Sequence, residues 1–210
     1  MRTTRTLNAL VFAALAAFTL VGSAVSNAQA AEGKTLANLQ EAFNGESNAH
    51  ARYTAFAVKA DAEGFTKAAS IFRAAARAES IHAENHAKVI RSLGAEPKAD
   101  VVTPTVKTTA ENLKAAIEGE SYERDTMYPE FIAAAKAEGV KDAVRSFNFA
   151  ADAEAGHAQL YTDALASLDQ MTGKPLTLYV CPTCGRTVLG LEGSKCPVCY
   201  TENEKFIEIS

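Results

Sequence analysis

Apolar residues recur at three- and four-residue spacing along most of the chain. This spacing is typical of amphipathic helices, and short turns at Glu63-Gly64 and Glu138-Gly139 divide the pattern into two hairpins. The predicted helices span residues 35–62, 65–93, 108–138 and 140–170. Residues 94–107 contain two prolines and are long enough to cross the whole length of a bundle. The pattern therefore predicts a mainly α protein made of two helical hairpins and one long connection.

The two hairpins are copies of one sequence pattern. Gly45-Glu46-Ser47 in the first helix recurs as Gly119-Glu120-Ser121 in the third, and Phe72 in the second recurs as Phe147 in the fourth. Such a duplication is the first feature to look for in a chain, because it fixes which elements are equivalent. Two hairpins joined by one long crossover is the connectivity of a ferritin-like four-helix bundle, which we expect over residues 31–172.

Acidic and histidine side chains recur in register within this repeat. The matched residues are Glu46, Glu79, His82, Glu120, Glu154 and His157. A Glu and a His three residues apart lie on one helix face, and one Glu from each of two helices with Glu-x-x-His from the other two is the ligand set of di-iron carboxylate bundles. The alternative is that these are solvated surface charges. That alternative does not explain why they are kept while neighbouring positions diverge, as Glu41 does from Ala115.

A seventh carboxylate occurs in one half only. Glu123 follows Glu120 by three residues, whereas Ala49 occupies the corresponding position after Glu46. An ionised carboxylate among apolar side chains costs several kcal/mol unless it is paired or binds a metal. Oxygen-rich ligation with one nitrogen per metal suits iron or manganese, with zinc as a further candidate. The sequence thus predicts an asymmetric pair of cations inside the bundle.

All four cysteines lie in the last 30 residues, as Cys181-x-x-Cys184 and Cys196-x-x-Cys199. Two such pairs are a strong signature of a tetrahedral metal site. A segment this short, residues 173–210, has too small a core to fold alone, so a metal would supply much of its folding free energy. The spacing leaves iron, zinc and two disulfides open.

The first 30 residues have the pattern of a signal peptide. Arg2 and Arg5 precede an apolar run, and Ala28-Gln29-Ala30 is a small-x-small cleavage site. We expect cleavage after Ala30 and an extracytoplasmic, periplasmic location, with an uncleaved anchor as the alternative. The formal net charge is -4 for the whole chain, and loss of the two arginines makes it more negative. An acidic protein does not suit nucleic acid or an anionic membrane surface.

Taken together, these motifs resemble the rubrerythrins, and the resemblance covers nearly all of the chain after the leader. It is carried by Gly45-Glu46-Ser47, Glu79-x-x-His82, Gly119-Glu120-x-x-Glu123, Met127-Tyr128-Pro129, Glu154-x-x-His157 and the rubredoxin-like tail around the cysteines. The resemblance implies a non-haem di-iron peroxidase that reduces hydrogen peroxide to water, with electrons passed through a mononuclear iron on the four cysteines. The implied di-iron ligands are Glu46, Glu79, His82, Glu120, Glu123, Glu154 and His157.

The resemblance also implies details beyond the ligands. His82 and Glu123 would exchange at one iron as the site changes oxidation state, and Tyr53 and Tyr128 match tyrosines near the site. The family forms homodimers in which one subunit's tail approaches the other's di-iron site, and the electron donor is unidentified. Two features depart from the family: the leader, and Arg186 where rubredoxins have an aromatic residue. The rival functions are iron oxidation and storage, as in ferritins, and a zinc-bound structural role.

Overall fold

The computed structural model describes residues 33–210, and the predicted leader over residues 1–30 lies outside this part of the chain. The helical domain consists of α1 (Lys34–Ala62), α2 (Thr66–Ser92), α3 (Thr109–Tyr122), α4 (Tyr128–Ala137) and α5 (Lys141–Ala166). The long crossover joins α2 to α3. Within the described residues, no helix is both long and apolar enough to span a membrane.

The turn glutamate of each hairpin caps the first helix of the other hairpin. Glu138 accepts hydrogen bonds from the backbone N–H groups of Lys34 and Thr35 at the start of α1, at 2.9 and 3.0 Å. Glu63 accepts equivalent bonds at the start of α3 from the N–H and the hydroxyl of Thr109, at 2.8 and 2.6 Å. A carboxylate at a helix N-terminus satisfies free N–H groups and interacts favourably with the helix dipole. The two halves are therefore joined reciprocally.

The predicted third helix is interrupted by a π-helical turn, Glu123–Met127, between α3 and α4. Tyr53 follows Glu46 by seven positions, close to two α-helical turns, whereas Tyr128 follows Glu120 by eight positions. The wider turn absorbs the extra residue, so that Tyr128 returns to the face that carries Glu120. The N–H of Tyr128 bonds the carbonyl of Glu123, five residues back, as a π turn requires. The helix predicted over residues 108–138 is present and contains this π turn. Periodicity predicts that a segment is helical but does not show where one turn is wider than the others.

Two aromatic clusters pack in the bundle, one from each half of the repeat. Tyr53 and Phe72 lie in the first, with ring centroids 6.2 Å apart. Their counterparts Tyr128 and Phe147 lie in the second at 6.0 Å. All four rings are fully buried. The repeat seen in the sequence is thus a structural pseudo-symmetry.

The tail is a small antiparallel sheet in the order β2-β1-β3, made of β1 (Leu178–Val180), β2 (Thr187–Val188) and β3 (Ile207–Ile209). Leu178 and Val180 are fully buried and join the core that α2 forms with α1. The connection from α5 is held against the start of α2, where Lys67 N–H donates to the Met171 carbonyl at 2.9 Å. The tail consequently lies on the bundle of its own chain.

Candidate metal centres

The six duplicated Glu and His residues converge inside the bundle. They form two groups, and within each group one ligand atom per residue lies within 4.8 Å of all the others. The first group is Glu46, Glu79, His82 and Glu154; the second is Glu79, Glu120, Glu154 and His157. Every member is at least 99% buried. Glu79 and Glu154 belong to both groups, so they are the residues placed to bridge two cations.

Each histidine turns Nδ1 toward the carboxylates. His82 Nδ1 lies 2.9 Å from Glu79 Oε2 and 3.1 Å from Glu154 Oε1. His157 Nδ1 lies 2.9 Å from Glu154 Oε2 and 3.5 Å from Glu120 Oε2. Each imidazole therefore offers Nδ1 to its own group.

The tail fixes which nitrogen of each histidine carries the proton. His82 Nε2 lies 3.1 Å from the carbonyl oxygen of Cys184, which can only accept. His157 Nε2 lies 3.0 Å from the Thr187 hydroxyl oxygen, and that hydroxyl donates its own proton to the Gly185 carbonyl. Both rings therefore donate from Nε2–H, which leaves the Nδ1 lone pair free for a metal. Outer hydrogen bonds of this kind orient metal-ligating histidines.

The electrostatics of the cluster fit divalent cations. Five buried carboxylate oxygens of Glu46, Glu79, Glu120 and Glu154 have no hydrogen-bond partner among the described residues. Burial and then the charges of neighbouring glutamates raise the pKa of Glu154 well above its usual value. Burial lowers the pKa of His157, but the surrounding carboxylates outweigh it and raise that pKa well above normal. The site needs positive charge at its centre, which two metal ions would supply.

Glu123 lies beside the cluster, outside both ligand groups. It is half-buried in the π turn and lines a cavity of about 760 Å³ under the crossover. Burial and then the charges of Glu46 and Glu154 raise the pKa of Glu123 well above normal. Its proximity is compatible with ligation at one metal, and its exchange with His82 stays a prediction.

Both predicted tyrosines are buried next to the cluster, with different partners. The Tyr128 hydroxyl donates to Glu46 Oε1 and lies 3.2 Å from His86 Nε2. The Tyr53 hydroxyl has no partner within the described chain, and burial and then the charge of Glu120 raise its pKa well above normal. Only Tyr128 is therefore in hydrogen-bond contact with a predicted ligand.

The four cysteines form the second centre. Cys181 Sγ lies 3.4 Å from Cys199 Sγ, and Cys184 Sγ lies 3.6 Å from Cys196 Sγ. A disulfide needs about 2.05 Å, whereas metal–sulfur bonds of about 2.3 Å in a tetrahedron place sulfurs just under about 4 Å apart. The hydrogen bond between the Cys184 and Cys181 thiols lowers the pKa of Cys181 to about 5 and raises the pKa of Cys184. A bound metal would hold all four sulfurs as thiolates. The geometry fits a single metal ion and argues against the disulfide alternative.

Two residues near the site were missed by sequence reasoning. His86 is fully buried, with Nε2 3.8 Å from Glu46 Oε1. It follows His82 by four residues on α2, so its face could be read from the spacing. Arg52 places its guanidinium 5.3 Å from the centre of the Tyr53 ring and lines the same cavity as Glu123. Neither residue is duplicated in the other half, and the repeat therefore did not reveal it.

The tail contacts the bundle of its own chain, although the resemblance implied contact with a second subunit. Besides the two histidine contacts, Asn85 donates to the Thr183 carbonyl at 2.8 Å, and Arg186 lies 3.4 Å from Asp152. Arg186, which replaces the aromatic residue of rubredoxins, thus has a bundle carboxylate as its partner. The short connection along α2 explains why the tail reaches this site within one chain.

Comparison with known proteins gives one consistent result. A family model described as rubrerythrin matches residues 37–165. The chain is 37% identical to nigerythrin of Nitratidesulfovibrio vulgaris (strain Hildenborough), covering 87% of this chain and 90% of that protein. It is 35% identical to rubrerythrin-2 of Clostridium acetobutylicum, covering 80% and 92%. The solved structure of fully reduced, all-ferrous nigerythrin matches with a TM-score of 0.77 and 35% identity over 90% of this chain and 91% of that one. The predicted mainly α, ferritin-like fold with a small four-cysteine domain is confirmed.

Proposed function

The chain belongs to the rubrerythrin family, and we propose that it is a peroxidase that reduces hydrogen peroxide to water at a di-iron site. The family binds two irons in the bundle and one in the tail, and the two clusters of this chain supply the residues for both centres. The overall reaction takes one peroxide, two protons and two electrons to two waters. The electrons come from an external one-electron redox donor.

The observation that carries the proposal is the contact between the two centres. Cys184, a tail ligand, accepts a hydrogen bond through its carbonyl oxygen from His82, a bundle ligand, at 3.1 Å. This links the two metal positions through two residues. A ferritin-like storage protein has no use for such a link, because storage needs oxidation of incoming iron and not electron delivery from a thiolate centre.

The protein residues have separate tasks in this reaction. Glu79 and Glu154 would bridge the two ions, while Glu46 with His82 and Glu120 with His157 would hold one ion each. A bound di-iron centre supplies a two-electron reduction, one electron from each ferrous ion, which cleaves the O–O bond without releasing hydroxyl radical. The aromatic clusters on either side exclude bulk water. The local dielectric constant is therefore low, and the charges of the carboxylates interact more strongly than they would in water.

The cavity under the crossover suits entry of a small polar oxidant. It is about 760 Å³ and lined by Arg52 and Glu123, with amide side chains from Asn44 and Asn48. Hydrogen peroxide donates and accepts hydrogen bonds, and these side chains offer both functions. The cavity thus connects solvent to the Glu123 side of the cluster.

Metal analysis combined with rapid mixing tests the proposal. We expect three irons per chain, two in the bundle and one in the tail, and a red colour from the ferric tail. After anaerobic reduction, hydrogen peroxide should oxidise the bundle faster than dioxygen does, with the tail following. Glu154→Ala, which removes one bridging carboxylate, should keep the red tail and lose the fast phase. Iron loading far beyond three per chain in a hollow shell, with no peroxide-dependent phase, would instead establish storage.

An extracytoplasmic location is a further part of the proposal. It is supported by the leader pattern that ends at Ala30, and it would put the electron donor outside the cytoplasm as well. Intact mass of the protein purified from its native host should correspond to a chain that starts at Ala31. A full-length mass in the cytoplasmic fraction would contradict it. A homodimer or small homo-oligomer, as the family implies, is tested by sedimentation of the same sample.

A further inference from the structure

A chain of hydrogen bonds leads from the bundle site to the surface. The Tyr128 hydroxyl donates to Glu46 Oε1, and its oxygen lies 3.2 Å from His86 Nε2. His86 Nδ1 lies 2.8 Å from Ser146 Oγ. All four side chains are buried. Ser146, at the outer end, lines a cavity of about 380 Å³ between α2, α5 and the tail residue Thr183.

All the donors in this series of hydrogen bonds point toward Glu46. Because Tyr128 donates its only proton to Glu46, its oxygen accepts from His86 Nε2–H. His86 Nδ1 is then the acceptor for the Ser146 hydroxyl. This arrangement is that of a neutral imidazole, with one donor and one acceptor nitrogen. Every O–H and N–H therefore donates toward Glu46.

The duplicated half of the bundle shows that packing alone does not require these polar residues. The repeat places Tyr161 of the second half at the position equivalent to His86, and Ile71 of the first half at the position equivalent to Ser146. The hydroxyls of Tyr161 and of Tyr53, the counterpart of Tyr128, have no hydrogen-bond partner in the described chain. Two equivalent places in the bundle thus have the same fold, and only one of them has a continuous series of hydrogen bonds.

Building on the proposed peroxidase function, we propose that His86 and Ser146 form a proton inlet that supplies the bundle site from the cavity beside α5. In one passage, a hydronium ion in the cavity gives a proton to Ser146 and becomes water, as Ser146 passes its own proton to His86 Nδ1. His86 releases its Nε2 proton to Tyr128, and Tyr128 passes its hydroxyl proton to Glu46. The His86 ring is then the Nδ1–H tautomer and returns to Nε2–H before the next passage. One proton enters, one is delivered, no electron moves, and His86, Ser146 and Tyr128 all end neutral. Histidine is suited to such transfer because its two nitrogens exchange donor and acceptor roles.

The kinetic test compares two substitutions of His86 in the iron-loaded, fully reduced, full-length protein. His86→Phe keeps an aromatic ring against Phe147 and removes the relay, so oxidation by peroxide should slow by roughly 100-fold or more. His86→Gln can still donate to Tyr128 and cannot pass a proton through, so it should be equally slow. Recovery of the rate in His86→Gln would show a positioning role only and would overturn the proposal. Tyr161→Phe, in the other half, is the matched control and should keep the wild-type rate.

Two readouts separate this inference from the proposed function. Ser146→Val, which copies the apolar character of Ile71 and lies farther from the metals, should lose the solvent deuterium isotope effect on the proton-dependent step and keep the metal content. In the zinc-loaded, full-length protein, nitrogen NMR of His86 should show the Nε2–H tautomer. An Nδ1–H tautomer, or an unchanged isotope effect in Ser146→Val, overturns the inlet even if peroxide is reduced. A wild-type protein inert to peroxide refutes the function while the tautomer result stands.

Discussion

Gly185 is the point at which the tail approaches the bundle most closely. Its φ is +79°, in the left-handed region, and a β-carbon there would overlap the His82 imidazole, with Cδ2 only 2.8 Å away. The neighbouring Cys184 carbonyl is the oxygen that accepts the His82 hydrogen bond. Gly185→Ala should therefore force the tail off the bundle and break the contact between the two centres.

Gly193→Ala is the matched control. Gly193 also lies in the tail at φ +66°, and nothing is within 4 Å of its β-position. Each substitution pays about 1–2 kcal/mol for an alanine in the left-handed region. Only Gly185→Ala also loses the His82 hydrogen bond, about 1 kcal/mol, in addition to the steric overlap. The free energy of unfolding should thus fall at least about 1 kcal/mol further in Gly185→Ala than in Gly193→Ala.

The assay is chemical unfolding of both variants, followed by stopped-flow reaction of the reduced proteins with peroxide. The red colour of the oxidised tail should return more slowly in Gly185→Ala, because electrons must leave a displaced tail, whereas Gly193→Ala should behave as wild type. Equal colour return in the two variants, with equal stability, would refute the argument that this contact couples the centres.

Three further outcomes are expected. Glu123→Ala should leave the fold and the tail colour intact and slow peroxide turnover; an unchanged turnover counts against Glu123 as a ligand. Tyr200 has φ +62° where the first cysteine pair has Gly185, so Tyr200→Gly should stabilise the tail by about 0.5–1 kcal/mol, seen as slower loss of tail iron to a chelator. Because the tail docks on its own bundle, mixing a Cys181→Ser chain with a Glu79→Ala chain should restore no turnover, and restored turnover would show exchange between subunits.

Much of the site could be predicted from the sequence, because a duplication fixes which residues share a face. The repeat alone placed Glu46 opposite Glu120, and His82 opposite His157. The structure brings these residues together. The repeat was less informative where the halves differ. The counterpart of His86 in the second half is Tyr161 and not a histidine, and a single buried histidine is not distinguished by spacing alone.

The contacts between the tail and the bundle could not be predicted in the same way. The approach of Gly185 to His82 joins residues about 100 positions apart in sequence, and no local pattern encodes it. The cysteine spacing predicted a metal in the tail, but the tail's second role, setting the tautomer of both bundle histidines, depends on where the sheet docks. Docking is decided by long-range packing of side chains such as Leu178 against α2.

The π-helical turn has a consequence for engineering this bundle. It stores one inserted residue inside a helix, and the same segment carries Glu123. A symmetric protein built by joining two copies of the first hairpin would regain an ordinary α-helix there, and it would lose the seventh carboxylate in the same step. The insertion and the unequal character of the two metal positions are therefore gained or lost together.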